Sequence, residues 1–239
     1  MRTTTLGRRS MLELGGATAA AAVLAPRTAF ARETGPGITP DEALARLQEG
    51  NAAFVSDRLP PPAEHGPRRL ETAKGQQPFA VLVGCSDSRV SPEILFGRGL
   101  GELFIIRNAG NTVDLTAQGS IEYAVGELGV PLILVLGHER CGAVAAAVEV
   151  VERSATFPGR IGQMVEPIIP AVLKAKHAAG AGMGQDELLD AAVQENVRRV
   201  VRGLSLSELL TERQRAGQLK IVGARYDLED GRVDFFAEG

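Results

Sequence analysis

The sequence predicts an α/β fold: three layers, α/β/α, around a mostly parallel central sheet of four strands plus an antiparallel edge strand, with an N-terminal helical arm. Three observations carry this reading. Four apolar runs, 79–84, 103–107, 132–136 and 219–226, are nearly continuous rather than alternating, as strands covered on both faces are. Segments with helical spacing of apolar residues lie between them, the rhythm of a mostly parallel sheet. Beyond the fourth run, Asp230-Gly231 precedes Val233-Asp234-Phe235-Phe236, a hairpin signal that pairs the last strand antiparallel at an edge.

The first 31 residues read as an address rather than as part of the domain. Arg8-Arg9 precede a weakly apolar, Ala-rich stretch from Leu14 to Ala25, which leads to Ala29-Phe30-Ala31, the A-x-A pattern of a signal-peptidase site. The paired arginines point to the Tat export machinery. An apolar stretch of about a dozen residues falls short of the roughly 20 that a spanning helix needs. The expectation is a Tat-type signal peptide over 1–31, cleaved after Ala31, and an exported domain over 32–239, periplasmic or secreted, with no stable membrane insertion after cleavage.

Within the domain, Thr39-Pro40-Asp41-Glu42 opens the N-terminal helical arm, about 39–57, with Thr39 as N-cap, Pro40 at N1 and Glu42 closing a capping box. Pro60-Pro61-Pro62 ends it, and His65 to Gln77 holds a short helix at most. A helix from about Asp114 to Leu128 carries Ile121, Val125 and Leu128 on one face. A long helical region then covers 161–177, 186–204 and 207–216, with Leu189, Val193, Val197, Val200 and Leu204 forming a stripe.

Composition bounds the function classes. A chain of 239 residues, 44% hydrophobic and with a net charge of -3, has ample length for the core of one moderate domain and no basic footprint for nucleic acid or an anionic membrane.

The chemistry gathers at two strand ends. The run 79–84 delivers Cys85-Ser86-Asp87-Ser88-Arg89, and the run 132–136 delivers Gly137-His138-Glu139-Arg140-Cys141-Gly142. In open α/β sheets ligands bind where strands end. Two thiols and one imidazole converging there, Cys85, His138 and Cys141, match a catalytic zinc site, in which three protein ligands leave a fourth position open. A structural disulfide between the only two cysteines is the rival in an exported protein. Asp87 and Arg89, two and four residues after a ligand, form a carboxylate–guanidinium pair. Asp87 has two possible parts: acceptor of a hydrogen bond from zinc-bound hydroxide, or occupant of the fourth position itself. The acceptor that the other ring nitrogen of His138 needs has no sequence signal.

Cys85-Ser86-Asp87-Ser88-Arg89, Arg107-Asn108-Ala109-Gly110-Asn111 and Gly137-His138-Glu139-Arg140-Cys141-Gly142 together resemble the β-class carbonic anhydrases, from the N-terminal helix to the last strand. The resemblance implies zinc on Cys85, His138 and Cys141, with one Zn2+ per chain, and Asp87 with Arg89 as the catalytic dyad. The implied reaction is the reversible hydration of carbon dioxide to bicarbonate and a proton. Carried over residue by residue, Gln76 matches a substrate-binding glutamine, and Phe104, Ala109 and Tyr123 match positions lining the small pocket. Phe104 and Tyr123 are equally suited to the core, and Gln76 to a surface loop. The resemblance further implies at least a homodimer, or a dimer of dimers, with the N-terminal helix reaching over the partner.

Some members close by swinging the aspartate onto zinc and carry a second bicarbonate site built with a tryptophan. This chain has no Trp and retains Gln76, so it resembles the constitutively open type. Carbon disulfide or carbonyl sulfide hydrolysis on the same site, a non-catalytic zinc or bicarbonate module, and a thiol redox protein remain the rival readings.

Overall fold

The computed structural model describes residues 35–59, 65–179 and 182–239. The expected signal peptide and the Pro60-Pro61-Pro62 stop lie outside the described residues. In chain order the elements are α1 (Pro40–Val55), α2 (His65–Thr72), β1 (Ala80–Gly84), α3 (Pro92–Leu95), β2 (Leu103–Arg107), α4 (Leu115–Gly126), β3 (Leu132–His138) and α5 (Gly142–Arg153). They continue with α6 (Ile161–Val165), α7 (Ile169–Ala179), α8 (Gln185–Leu204), α9 (Glu208–Arg215), β4 (Lys220–Tyr226) and β5 (Val233–Glu238). The strand order is β2-β1-β3-β4-β5; the first four run parallel, and β5 pairs antiparallel with β4. The three-layer α/β arrangement is therefore the one the apolar runs predict.

The layers follow from the period-2 alternation of strand side chains. Ala80, Leu82, Leu132, Leu134, Leu136, Val222 and Ala224 form one core with Ala43 and Leu47 of α1 and Leu95 of α3. Val81, Val83, Ile133, Val135 and Ile221 face the other way, against Ile121 and Val125 of α4, Val197 and Val201 of α8 and Leu210 of α9. A third cluster joins α5, α6, α7 and α8 around Cys85 and Cys141. Among the described residues no helix is long and apolar enough to cross a membrane.

The N-terminal helix starts as expected: Glu42 accepts from the Thr39 backbone N–H at 2.7 Å, and Thr39 Oγ1 accepts from the Glu42 N–H at 3.2 Å. It lies on this chain's own sheet. Buried Asn51 donates to the Gly231 carbonyl at 2.9 Å and accepts from the Val233 N–H at 2.9 Å, tying α1 to the last strand.

Three expectations change. The helical segment 161–177 is broken into α6, a 3-10 turn over Glu166–Ile168, and α7, because Pro167 supplies no N–H to continue a helix. Residues 142–153, for which the sequence predicts no element, form α5. Its buried Val144, Ala147 and Val148 do stand at i, i+3, i+4, but in a run so rich in alanine and valine that the face is indistinct. The strand 103–107 is an edge rather than a strand covered on both sides, and its residues are half-buried or exposed.

Gly50 sets how closely α1 approaches the chain after α3. A Cβ there would overlap the Phe96 carbonyl oxygen, a backbone atom that cannot swing aside. Helix propensity alone favours Gly50→Ala by about 1 kcal/mol, whereas overpacking costs about 1–3 kcal/mol and rises when backbone must move. Gly50→Ala is expected to lower the stability of the folded protein by about 2 kcal/mol in denaturant titration. A variant as stable as the parent would show that this contact does not constrain the helix.

Candidate metal centre

The site sits at the carboxyl ends of β1 and β3, two adjacent parallel strands. From β1 the chain crosses to β2 on one side, and β3 lies on the other, so the strand order switches there and leaves a crevice. Cys85 is the first residue beyond β1, His138 closes β3, and Cys141 is the N-cap of α5. All three are buried, and their ligand atoms lie within 4.8 Å of one another.

The two sulfurs are 3.9 Å apart and both cysteines are free, so the disulfide that the sequence left open is not formed. Tetrahedral zinc with Zn–S bonds of about 2.3 Å holds two sulfurs roughly 3.8 Å apart, which is the spacing found. His138 Nδ1 lies 2.9 Å from the Glu139 carbonyl oxygen, an acceptor that fixes the proton on Nδ1. His138 Nε2 is buried without a hydrogen-bond partner. An unpartnered lone pair beside two sulfurs is what a metal ligand looks like before the ion is added, and the donor set fits Zn2+.

The two thiols shift each other's acidity in opposite directions. The hydrogen bond with the Cys141 thiol pulls the Cys85 thiol down, helped by the Gly110 N–H, against burial, which pushes it up. Cys141 moves the other way: its hydrogen bond with Cys85, then burial, then the charge on Cys85 push its thiol up. Two thiolates and a neutral imidazole bring two negative charges to a divalent cation.

Beside the ligands, Arg89 Nε donates to Asp87 Oδ1 at 2.9 Å and Arg89 Nη2 to Asp87 Oδ2 at 2.7 Å, a fork-on-fork pair. The Arg89 backbone N–H adds a third bond to Oδ1 at 3.0 Å. Arg89 holds the Asp87 carboxyl well below the usual carboxylate range. Asp87 Oδ2 stands 3.9 Å from His138 Nε2, beyond hydrogen-bond reach but next to the point where the ligand atoms converge.

The resemblance-derived pocket residues divide. Ala109 directly precedes Gly110, whose N–H donates to Cys85 Sγ at 3.3 Å, so it lies at the site. Phe104 on β2 and Tyr123 on α4 bring their rings to 6.5 Å of each other at the sheet edge, where Tyr123 is exposed. Gln76 is exposed in the segment before β1.

Several supporting groups had no assigned role in the sequence. The turn from His138 to Cys141 needs a left-handed residue, Arg140 at φ +50°, and Glu139 braces it by accepting from the Leu228 N–H at 3.2 Å. Arg107 donates to the carbonyls of Cys85 at 3.0 Å and Asp87 at 2.8 Å. Arg107 and Gly110 stand in a recognisable motif, which was their only signal; the Glu139 carbonyl is a backbone group and has none.

The family model described as carbonic anhydrase matches residues 80–233. Carbonic anhydrase 2 of Mycobacterium tuberculosis is 41% identical over 198 residues, covering 83% of this chain and 93% of that relative. A carbonic anhydrase of Mycolicibacterium smegmatis is 40% identical over 200 residues, covering 83% and 94%. Among solved structures, a tetrameric β-carbonic anhydrase of Sordaria macrospora superposes with a TM-score of 0.67 at 25% identity, covering 83% of this chain and 99% of that one. The Coccomyxa β-carbonic anhydrase in complex with acetazolamide gives a TM-score of 0.64 at 30% identity, covering 81% and 86%. With the family model spanning more than half the chain and the fold and ligand triad in place, this chain belongs to the carbonic anhydrases, enzymes of the lyase type, in their β-class.

Proposed function

We propose that the protein catalyses the reversible hydration of carbon dioxide to bicarbonate and a proton, with Cys85, His138 and Cys141 holding one zinc ion. The observation that carries this reading is the buried His138 Nε2, unpartnered and set among two sulfurs at tetrahedral spacing. Zinc there would supply a Lewis acid that ionises water near neutral pH. The chain's own residues orient the reaction. Asp87 accepts a hydrogen bond from the reacting water, directing a lone pair toward the substrate carbon. Arg89 occupies both carboxylate oxygens, so Asp87 keeps its charge and its position instead of turning onto the metal. Arg89 holds the Asp87 carboxyl well below the usual carboxylate range, so the pair is ionised near neutral pH. This geometry supports the open form, with Asp87 outside the ligand set.

A small, uncharged substrate asks only for an apolar pocket with few donors, and we assign Phe104, Ala109, Tyr123 and Gln76 to it. In the single chain β2 is an open edge of apolar residues, with Leu100, Leu115 and Tyr123 exposed nearby in sequence. An apolar, unpaired edge is a surface for a second copy, which supports a homodimer or a dimer of dimers in which the pocket is closed from the other side. The Arg8-Arg9 pair and the Ala29-Phe30-Ala31 pattern support export by Tat to the periplasm or medium.

Stopped-flow hydration of carbon dioxide by the zinc-loaded domain tests the activity. Asp87→Asn is expected to keep its zinc and lose at least about tenfold in turnover, since an amide has no anionic acceptor to offer. Between about pH 6 and 9 the rate should vary smoothly, with no step from Asp87 taking up a proton. A variant faster than the parent would place Asp87 on the metal and overturn the open form.

Replacing Arg8-Arg9 by Lys-Lys is expected to strand the precursor in the cytoplasm with fold and zinc intact. Mature protein outside the inner membrane at the parent level would contradict the export route.

A further inference from the structure

The motif Arg107–Asn111 is only partly used by the mechanism, and its glycine connects the metal site to a distant helix. Gly110 has φ +69° and donates its N–H to Cys85 Sγ at 3.3 Å. A Cβ on Gly110 would come within 2.5 Å of Ile168 Cδ1 and 3.2 Å of Ala143 Cβ, so the turn is pressed into the helical layer with no room to spare. Its carbonyl accepts from Asn196 Nδ2 at 2.8 Å, a side chain of α8 that is 1% exposed and 86 residues further along the chain.

We propose that Asn196 is a positioning residue for the metal centre: by fixing the Gly110 carbonyl, it aims the Gly110 N–H at Cys85 Sγ and so limits how much charge that sulfur donates to the ion. The physical chain is short. A left-handed glycine has wide conformational freedom, and the bond from Asn196 on the buried face of α8 to its carbonyl narrows it further than packing alone does. The N–H it aims stabilises charge on the sulfur, because a donor to a ligating thiolate draws electron density away from the metal. The ion is then a stronger Lewis acid than two unmodified thiolates would leave it. A purely structural reading also exists, since a buried asparagine must be satisfied in any fold. The two readings differ in what happens at the sulfur.

This inference rests on the zinc-site reading, and cobalt substitution separates the two. Wild-type protein loaded with Co(II) should show a thiolate-to-cobalt charge-transfer band. In Asn196→Leu or the isosteric Asn196→Asp, whichever folds, the metal should still bind one per chain. The band should move to longer wavelength as the freed sulfur lone pair rises in energy. Should neither variant fold, NMR of the cadmium-loaded wild type decides. The Gly110 amide proton should show scalar coupling to an NMR-active cadmium nucleus through the sulfur, and absence of coupling there would overturn the relay. A wild-type band with an unmoved band in a metal-bearing variant would overturn the relay alone. A wild type with no such band would overturn the zinc-site reading and the relay with it.

Discussion

Everything near the site depends on burying two sulfurs and one imidazole nitrogen side by side. Left alone, that is an unfavourable arrangement: a buried acceptor without a partner costs about 1–3 kcal/mol, and two thiols at 3.9 Å cannot both ionise. A divalent cation removes both penalties at once, since it accepts the lone pairs and neutralises the charge. The fold supplies the geometry by placing one ligand after β1, one at the end of β3 and one at the cap of α5. The strand ends are rigid because their strands are central, buried and hydrogen-bonded on both sides.

The surroundings serve that placement. Arg140 adopts a left-handed conformation that lets His138 and Cys141, three residues apart, converge on one point, and Glu139 holds the turn to the loop between β4 and β5. Arg107 gathers the carbonyls of Cys85 and Asp87, so that the sulfur and the carboxylate keep a fixed relation. Arg89 also donates to the Arg140 carbonyl at 3.4 Å, linking the dyad to both ligand loops.

Much of this was legible in the sequence, and the physical reasons are particular. The strands were readable because their apolar runs are unbroken, and the convergence of Cys85, His138 and Cys141 because each lies at or near a strand end and is a rare residue type. The edge position of β2 was not readable, since Leu103 to Arg107 looks the same whether one neighbour or two receives its hydrogen bonds. The break at Pro167 was written in the chain but fell between two helical stretches of similar composition. The Glu139 carbonyl was invisible because every residue has one, and only the turn aims it. Asn196 was invisible because its partner is set by the packing of α8 rather than by spacing.

The central claim is the ligand set, and X-ray absorption at the zinc edge of the purified, zinc-loaded protein tests it most directly. The account predicts one zinc per chain with two sulfur neighbours at about 2.3 Å and one imidazole nitrogen at about 2.0 Å, completed by one light atom. A first shell with fewer than two sulfurs, or a protein that takes up no zinc, would contradict it.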